Sequence, residues 1–422
     1  MRELWFNISL RSGAQVYSLL TSLLSLALTA RWLGPEGRGI VAAVITWQAL
    51  FSTLGHLSLG QVALHQATKQ RGQVWLPAIL GSLLLMTAVI TLLAWGVATG
   101  LYLSTGGALY NGLEPKLLIL GFLALPLAIW ERYGSSLLMA LDKVSIYNRA
   151  QMIGGTAGLV LILLAWWGRL GIAGVLFAGL LSQTLTSLIG TGYLLRQAGR
   201  STRPQWSTIK TLLTGGFALH LSAVGSFLVM SSDVLIINYY RGPVETGYYQ
   251  LAVKLVSIML IIPGSANLLL YGKVAQIGPD KAWEYQRKIV AALLVVMAVL
   301  SVIAASLAPW GITFFAGKAF EEAVPAFQLL LMVFLGMSFA ALMAPQWIGR
   351  GLFWQVSLIS LFVGGGNLVG GLLLVPRYGM YGSIYGTLVT YFFATFIHAG
   401  LAVWCELRFR RNRLSQATQV SQ

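Results

Sequence analysis

Long apolar runs separated by short polar breaks fill almost the whole of this 422-residue chain. Each run has about 20 residues, enough for an α-helix to cross a hydrocarbon core of roughly 30 Å. The breaks carry glycine, proline and charged residues, as turns between helices do. The pattern predicts twelve transmembrane helices. The predicted spans are 13–31, 40–62, 77–101, 117–140, 151–167, 173–195, 215–239, 247–270, 289–309, 325–347, 355–375 and 382–404.

Composition agrees with a membrane protein. Hydrophobic residues make up 57% of the chain and charged residues 9%, whereas about a quarter of the residues in a soluble domain are charged. The chain has 47 glycines, and small residues let helices approach closely in lipid. We therefore predict an all-α polytopic membrane protein.

The net charge of +16 is an orientation signal. If the N-terminus is cytoplasmic, nineteen Lys and Arg residues fall in cytoplasmic segments and seven on the opposite face. This asymmetry satisfies the positive-inside rule and places both termini in the cytoplasm. No basic stretch with interleaved aromatic residues lies in a soluble segment, so nucleic acid is not an expected partner.

Several other classes of protein lack support in the sequence. The single cysteine, Cys405, rules out an internal disulfide and a cysteine metal cluster. The Gly-Lys pairs that begin at Gly272 and Gly317 are not followed by Ser or Thr, so no phosphate-binding P-loop is present. The four histidines are isolated from one another. We predict no metal site, no cofactor and no catalytic residue.

Two pairs of similar loops recur at a single offset. Gly34–Gly39 aligns with Gly242–Gly247, and Gly168–Gly174 aligns with Pro376–Gly382, both at 208 residues. Two matches at one offset near half the chain length predict tandem halves with the same element order. Six spans in each half make these parallel repeats, with a central cleft between two six-helix lobes. The predicted divisions are an N-terminal lobe at 1–195, a cytoplasmic linker at 196–213, a C-terminal lobe at 214–405 and a basic cytoplasmic tail at 406–422.

Charges inside the predicted spans are few, and each costs about 2.5–3.5 kcal/mol near the bilayer centre. Glu131 and Arg132 are adjacent in the fourth span, so their side chains point about 100° apart. They either line a water-filled cavity or pair within the helix bundle. Asp233 and Lys254 lie at similar depth in the seventh and eighth spans and are expected to pair. That pair is either structural or part of a cation, proton or substrate site.

One face of the first span stays polar along its whole length. The 208-residue offset carries Ser18 onto Ser226, so the seventh span repeats part of this face. Ser and Thr in such a stripe can also form a packing seam between helices, but a seam does not account for Arg11 and Gln15. The stripe therefore indicates a cavity wall. It consists of Arg11, Gln15, Ser18, Ser22, Ser25 and Thr29.

Four segments spread along the chain carry a family resemblance. They are Ala30–Gly39, Ser232–Ile236 with Gly242–Tyr249, Phe315–Leu330 and Asn367–Gly382. In this order they resemble the polysaccharide flippases of the multidrug/oligosaccharidyl-lipid/polysaccharide exporter superfamily, which transport O-antigen, capsule and exopolysaccharide repeat units. The resemblance implies a bacterial or archaeal cytoplasmic membrane and a lipid-diphosphate-linked oligosaccharide as cargo. It also implies membrane lipids, and polysaccharide polymerase or export proteins, as partners.

We therefore expect a flippase, not an enzyme, that moves an undecaprenyl-diphosphate-linked oligosaccharide by alternating access. Polar groups in a cleft would replace the water lost by the sugar hydroxyls, and basic groups would attract the diphosphate. The candidate substrate contacts are Arg11, Gln15, Ser18, Ser22, Arg132, Ser226 and Lys254, and the cation-coupling candidates are Glu131 and Asp233.

Two alternatives remain open from the sequence. A cation-coupled multidrug antiporter of the same superfamily would share the fold, although its cargo would favour an acidic and aromatic lining. A membrane glycan polymerase or ligase would usually carry a large extracytoplasmic loop, whereas the predicted loops are short.

Overall fold

The computed structural model of the chain is built from helices. It describes the backbone of residues 2–69, 74–111, 113–199 and 202–420, and within these ranges the side chains other than those of 2–16, 68–69, 217–219, 222 and 412–420. No β-strand occurs in these described ranges. The α-helices are α1 Arg2–Gly55, α2 Leu59–Lys69, α3 Leu76–Ser104, α4 Pro115–Leu123, α5 Leu125–Ala140, α6 Val144–Trp167, α7 Gly171–Ala198, α8 Trp206–Met230, α9 Ser232–Arg241, α10 Pro243–Met259, α11 Ile261–Ile277, α12 Pro279–Ala316, α13 Ala323–Gly349, α14 Phe353–Tyr378 and α15 Met380–Val420.

The helices account for the predicted number of spans. Within the described residues, nine helical segments are long and apolar enough to cross a membrane, and two further pairs of helices qualify as bent segments. The first bent pair begins in α1, which contains a non-helical residue at Gly34, so this pair covers both the first and the second predicted span. The chain is thus an all-α, multi-pass membrane protein with the predicted twelve-span pattern.

The backbone confirms the tandem repeat at the matched loops. Gly34 and Gly242 have φ values of 65° and 79°, and Gly171 and Gly379 have φ values of 59° and 60°. Glycine tolerates this left-handed conformation, which commonly ends a helix. After the first two of these glycines, Pro35 and Pro243 open the next helical segment, where proline is favoured.

Four spans that the sequence predicted as continuous are broken. The second, 40–62, divides between α1 and α2 with a bend of 48°. The fourth divides into α4 and α5 just before Pro126, and the eighth divides into α10 and α11 just before Pro263. Proline lacks the N–H that a helix interior requires. The seventh divides at Ser231 with a bend of 45°. This last break places Asp233 in the first turn of α9, where the helix dipole favours a negative charge.

The chain divides into two compact units, residues 1–227 with 242–247 and residues 228–241 with 248–422. In the first unit, the N–H of Gln205 in the predicted linker donates to Ser82 Oγ at 3.2 Å, so this part of the linker lies against α3. In the second unit, one core cluster joins α12, α13 and α15. It contains Trp283, Met343, Trp347, Leu401 and Cys405.

Candidate functional site

A polar cavity of about 270 Å³ lies among four helices of the first unit. Both charged residues predicted in the fourth span, Glu131 and Arg132, line this cavity from α5. Although the two side chains point in different directions from α5, both reach the same polar cavity. The lining residues are Gln48, Ala49 and Ser52 of α1, Ala128, Glu131, Arg132 and Ser135 of α5, Tyr147 of α6 and Gln183 of α7.

Glu131 accepts hydrogen bonds from three side chains on two neighbouring helices. Its Oε1 accepts from the Tyr147 hydroxyl at 3.2 Å and from Gln151 Nε2 at 2.5 Å, and its Oε2 accepts from Gln183 Nε2 at 3.3 Å. Gln151 also donates to the Tyr147 hydroxyl at 2.9 Å. These donors replace the water that a carboxylate loses inside a membrane protein, and hydrogen bonds to a charged acceptor are the stronger kind. The Glu131 carboxylate is therefore held by donors from α6 and α7.

Arg132 is exposed to the cavity. One of its guanidinium nitrogens, Nη2, donates to Thr53 Oγ1 at 3.4 Å. A guanidinium has five N–H donors, more than this one long bond occupies. Beside it, Ser52 Oγ is buried without a hydrogen-bond partner among the described atoms. The cavity thus combines a cation, a hydroxyl and amide groups that can bind an oxygen-rich ligand.

The predicted polar stripe of the first span is only partly described. Ser18 is half-buried and Ser22 is exposed. At the other end of the stripe, Thr29 is buried and accepts a hydrogen bond from Arg38 Nη1 at 3.3 Å. The two candidates that lie outside the described side chains are Arg11 and Gln15.

A second polar cluster surrounds Asp233 in the second unit. Asp233 is 4% exposed, and its Oδ2 accepts a hydrogen bond from the Tyr249 hydroxyl of α10 at 2.7 Å. Its other oxygen, Oδ1, is buried without a partner among the described atoms. A methyl group built on Gly371 of α14 would lie 3.9 Å from Oδ1, so α14 passes close to this free oxygen.

Three further buried oxygen-bearing side chains belong to the same group of helices. Asn367 of α14 donates through Nδ2 to the Val229 carbonyl at 3.3 Å, and Thr390 of α15 lies 3.5 Å from Asn367 Oδ1. Ser383 Oγ of α15 is buried without a partner among the described atoms. With the Asp233 carboxylate, these groups supply the oxygen ligands that hard cations prefer. A single carboxylate balances one positive charge, which suits a monovalent ion.

We predicted that Asp233 would pair with Lys254 of α10. The residue of α10 that contacts Asp233 is instead Tyr249. Lys254 lies five residues further along α10, which is about 140° around the helix, and it is exposed. Ser226 is also exposed, on α8. The predicted continuation of its face to Asp233 assumed one straight helix, whereas the helix breaks at Ser231.

Sequence reasoning missed the uncharged members of both clusters. Tyr147 and Gln151 are four residues apart on α6 and therefore share one helix face, which is a signal that could have been read. No such local signal marks Gln183 or Asn367, because each meets its partners from a distant part of the chain. No group of three or more His, Cys, Asp or Glu side chains that could hold a metal ion occurs within the described residues.

A helical multi-pass protein with carboxylates inside its predicted spans and a polar cavity among its helices has the features of a membrane transporter. The chain belongs to the polysaccharide biosynthesis protein family, whose model matches residues 4–269. No curated protein sequence matches the chain.

Solved structures share the fold. The chain is similar to the lipid II flippase MurJ in an inward closed conformation, with 15% identity over 96% of this chain and 90% of that chain and a TM-score of 0.75. It is also similar to an inward-facing multidrug resistance MATE family transporter of the MOP superfamily, with 13% identity over 93% of this chain and 95% of that chain and a TM-score of 0.71. A MATE structure in the bent conformation gives 15% identity over 96% and 95% and a TM-score of 0.61.

Proposed function

We propose that this protein is a flippase that carries a lipid-diphosphate-linked oligosaccharide across a cytoplasmic membrane by alternating access. The main support is the polar cavity of the first unit in a chain that belongs to the polysaccharide biosynthesis family. An oligosaccharide cannot cross hydrocarbon unaided, because its hydroxyls would lose their hydrogen bonds to water. A cavity that offers amide, hydroxyl and guanidinium groups at membrane depth can replace those bonds.

Arg132 is the proposed contact for the diphosphate in the described part of the chain. It is a fixed positive charge with donors facing the cavity, and guanidinium groups bind phosphate oxygens in a paired geometry. Ser52, Gln48 and Gln183 on the same wall are suited to sugar hydroxyls. Arg11, Gln15, Ser18, Ser22, Ser226 and Lys254 remain proposed contacts along the cargo's route.

Asp233 is the better of the two candidates for cation coupling. Glu131 already receives three hydrogen bonds, whereas Asp233 keeps one buried oxygen without a partner among the described atoms. A dehydrated monovalent cation at that oxygen would offset the cost of burying the charge. Transport would then draw on a cation gradient.

The experiment that tests the flippase is transport of a fluorescent polyprenyl-diphosphate oligosaccharide in proteoliposomes that contain the purified protein. We expect the labelled lipid to change leaflet without any chemical change, as a transporter rather than an enzyme requires. Arg132→Gln should lower the initial rate by about tenfold or more, because hydrogen bonds to charged groups are worth about 1.5–3 kcal/mol. The matched control is Arg196→Gln, because Arg196 is an exposed arginine in the last turn of α7.

A cation-coupled multidrug antiporter is the second candidate, because MATE family transporters share this fold. The same proteoliposomes distinguish the two functions. Counterflow of an organic cation with no movement of the oligosaccharide lipid would establish the antiporter and refute the flippase. Wild-type rates in Arg132→Gln would refute the diphosphate contact alone.

The proposed setting is the cytoplasmic membrane of a bacterium or archaeon, with both termini and the linker at 196–213 in the cytoplasm. Proteins that polymerise or export polysaccharide are the proposed partners, since they would take up the cargo after it changes leaflet.

A further inference from the structure

Two histidines that are isolated in the sequence lie against each other in the first unit. His56 is at the bend between α1 and α2, and His220 is on α8. Their ring centroids are 5.5 Å apart, and the ring planes lie at 88° to each other. His56 is 5% exposed. Each ring has a buried nitrogen without a hydrogen-bond partner among the described atoms, namely Nε2 of His56 and Nδ1 of His220. Such nitrogens require a physical reason, because an unpaired buried polar group costs free energy.

The bend between α1 and α2 holds the His56 ring in one tautomer. Its Nδ1 accepts a hydrogen bond from the N–H of Ser58 at 2.9 Å, and its carbonyl accepts one from the Tyr133 hydroxyl at 2.9 Å. Leu57 and Ser58 have φ values of 45° and 54°, a left-handed conformation that residues other than glycine rarely adopt. A nitrogen that accepts a hydrogen bond carries no proton, so neutral His56 has its N–H at Nε2.

The histidine pair adjoins the polar cavity that holds Arg132. Arg132 lines the cavity and donates to Thr53, which lies three residues before His56. Ser52, one helical turn before His56, lines the same cavity and has a buried hydroxyl without a partner among the described atoms. An anion bound in this cavity would therefore lie close to the histidines as well as to the guanidinium.

The charges around His56 oppose the binding of a proton. Within the described residues, its titratable neighbours are Arg132 and Tyr133 of α5 and His220 of α8, whereas α3 packs the apolar Ile90 against the end of α1. No carboxylate acts on His56 from these elements. A proton on the pair would add a second positive charge beside Arg132, and like charges disfavour each other's ionisation. A diphosphate at Arg132 would reverse this balance, because it brings more negative charge than one guanidinium neutralises.

We propose that His56 and His220 form a proton-binding site that is linked to the diphosphate of the cargo. The pair takes up one proton when a diphosphate binds at Arg132, and releases it when the diphosphate leaves. This inference deepens the proposed function and rests on the proposed diphosphate contact. The proton belongs to the pair as a unit, because two charged rings this close would repel each other. Linkage is reciprocal, so the protonated pair also binds the diphosphate more tightly, and affinity rises as the pH falls.

The first test measures the affinity of the purified protein for farnesyl diphosphate at pH 8 and at pH 5.5. His56→Asn is the test variant. Its side-chain oxygen can still accept the N–H of Ser58 in an Asx turn, but an amide takes up no proton in this range. The increase in affinity from pH 8 to pH 5.5 should be about tenfold larger for the wild type than for His56→Asn, since coupling between linked sites is typically 5- to 150-fold. Titration of the probe itself contributes equally to both proteins. His220→Gln should respond as His56→Asn does.

His65→Asn is the matched control, because His65 is an exposed histidine on α2. It should keep the pH dependence of the wild type. Equal pH dependence in the wild type and His56→Asn would overturn the proton site. Failure of farnesyl diphosphate to bind the wild type would overturn the linkage.

The second test observes the proton directly by NMR of protein labelled with ¹⁵N-histidine, in which the substitutions assign the signals. At a constant pH of 7, farnesyl diphosphate should shift the signals of His56 and His220 towards the charged imidazolium form and leave those of His65 and His398 unchanged. A pair that stays neutral with the diphosphate bound would be a structural contact, and the proposal would fall. Proton uptake in a protein that does not move the oligosaccharide lipid would refute the proposed cargo and leave the linkage standing. Movement of the lipid without proton uptake would refute the linkage and leave the flippase standing.

Discussion

At the scale of single residues, the two membrane carboxylates differ in what surrounds them. Glu131 is held by Tyr147, Gln151 and Gln183, whereas Asp233 accepts one bond from Tyr249 and has a buried free oxygen within the described residues. The sequence reveals both acids because a charge in an apolar run is easily seen. It cannot separate their roles, because their partners come from other helices.

The same limit explains why Tyr249 rather than Lys254 meets Asp233. The predicted depth of Lys254 in the eighth span gave the correct helix, α10, for the partner of Asp233. It did not give the rotation of that helix, which turns by about 100° for every residue. Tyr249 faces Asp233, and a residue five positions later points elsewhere. A prediction of pairs across a membrane bundle therefore needs rotation as well as depth.

Asp233→Asn should remove the dependence of transport on a cation gradient, because it removes the charge that balances the ion. Glu131→Gln should keep that dependence on the gradient. The carboxylate of Glu131 already accepts three hydrogen bonds from protein side chains, so it is not the proposed cation ligand. The measurement is the initial rate of lipid movement in proteoliposomes with imposed sodium or proton gradients. We expect the gradient to accelerate the wild type and Glu131→Gln alike, and to leave Asp233→Asn unaffected. Loss of gradient dependence in Glu131→Gln alone would assign coupling to the first unit instead.

At the scale of elements, the apolar pattern predicted where helices lie but not where they break. The breaks before Pro126 and Pro263 have a local cause that the sequence contains, namely a missing N–H. The break at Ser231 has no proline, and nothing in the local sequence requires it. It gives Asp233 the start of a helix, where unpaired N–H groups and the dipole stabilise an anion. A buried carboxylate and an irregular backbone thus coincide, as transporters often show.

The turn that begins α7 should depend on glycine for its backbone alone. Gly171 has a φ of 59° and nothing within 4 Å of a built methyl group. Gly171→Ala should therefore destabilise the protein by about 1–2 kcal/mol through the left-handed conformation itself. Gly179→Ala in the same helix should stabilise it by up to about 1 kcal/mol, because alanine is the better helix former. Thermal unfolding in detergent would report a lower Tm for the first and an equal or higher Tm for the second. Equal melting temperatures would show that the turn tolerates a side chain.

At the scale of the whole molecule, the repeat was the feature that the sequence predicted best. Two loop matches at an offset of 208 residues correspond to four glycines with positive φ and to a reciprocal contact between two of the matched segments. The conformation of such loops can be predicted from the sequence, because glycine and proline determine the backbone locally. The polar cavity was harder to predict, because its lining residues come from α1, α5, α6 and α7. Only its charged residues are conspicuous in an apolar sequence.

The distribution of charge predicts an orientation in the membrane, and this prediction can be tested without any cargo. Positive residues that flank the spans are retained on the cytoplasmic side, so the linker at 196–213 should be cytoplasmic and the loop before α7 should lie outside. In a Cys405→Ser background, Arg169→Cys should react with an impermeant maleimide added to intact cells, because Arg169 is exposed in that loop. Ser201→Cys should react only after the membrane is permeabilised. Since six spans separate the linker from the N-terminus, a cytoplasmic linker requires a cytoplasmic N-terminus and makes the two halves parallel. Labelling of Ser201→Cys in intact cells would reverse the predicted topology.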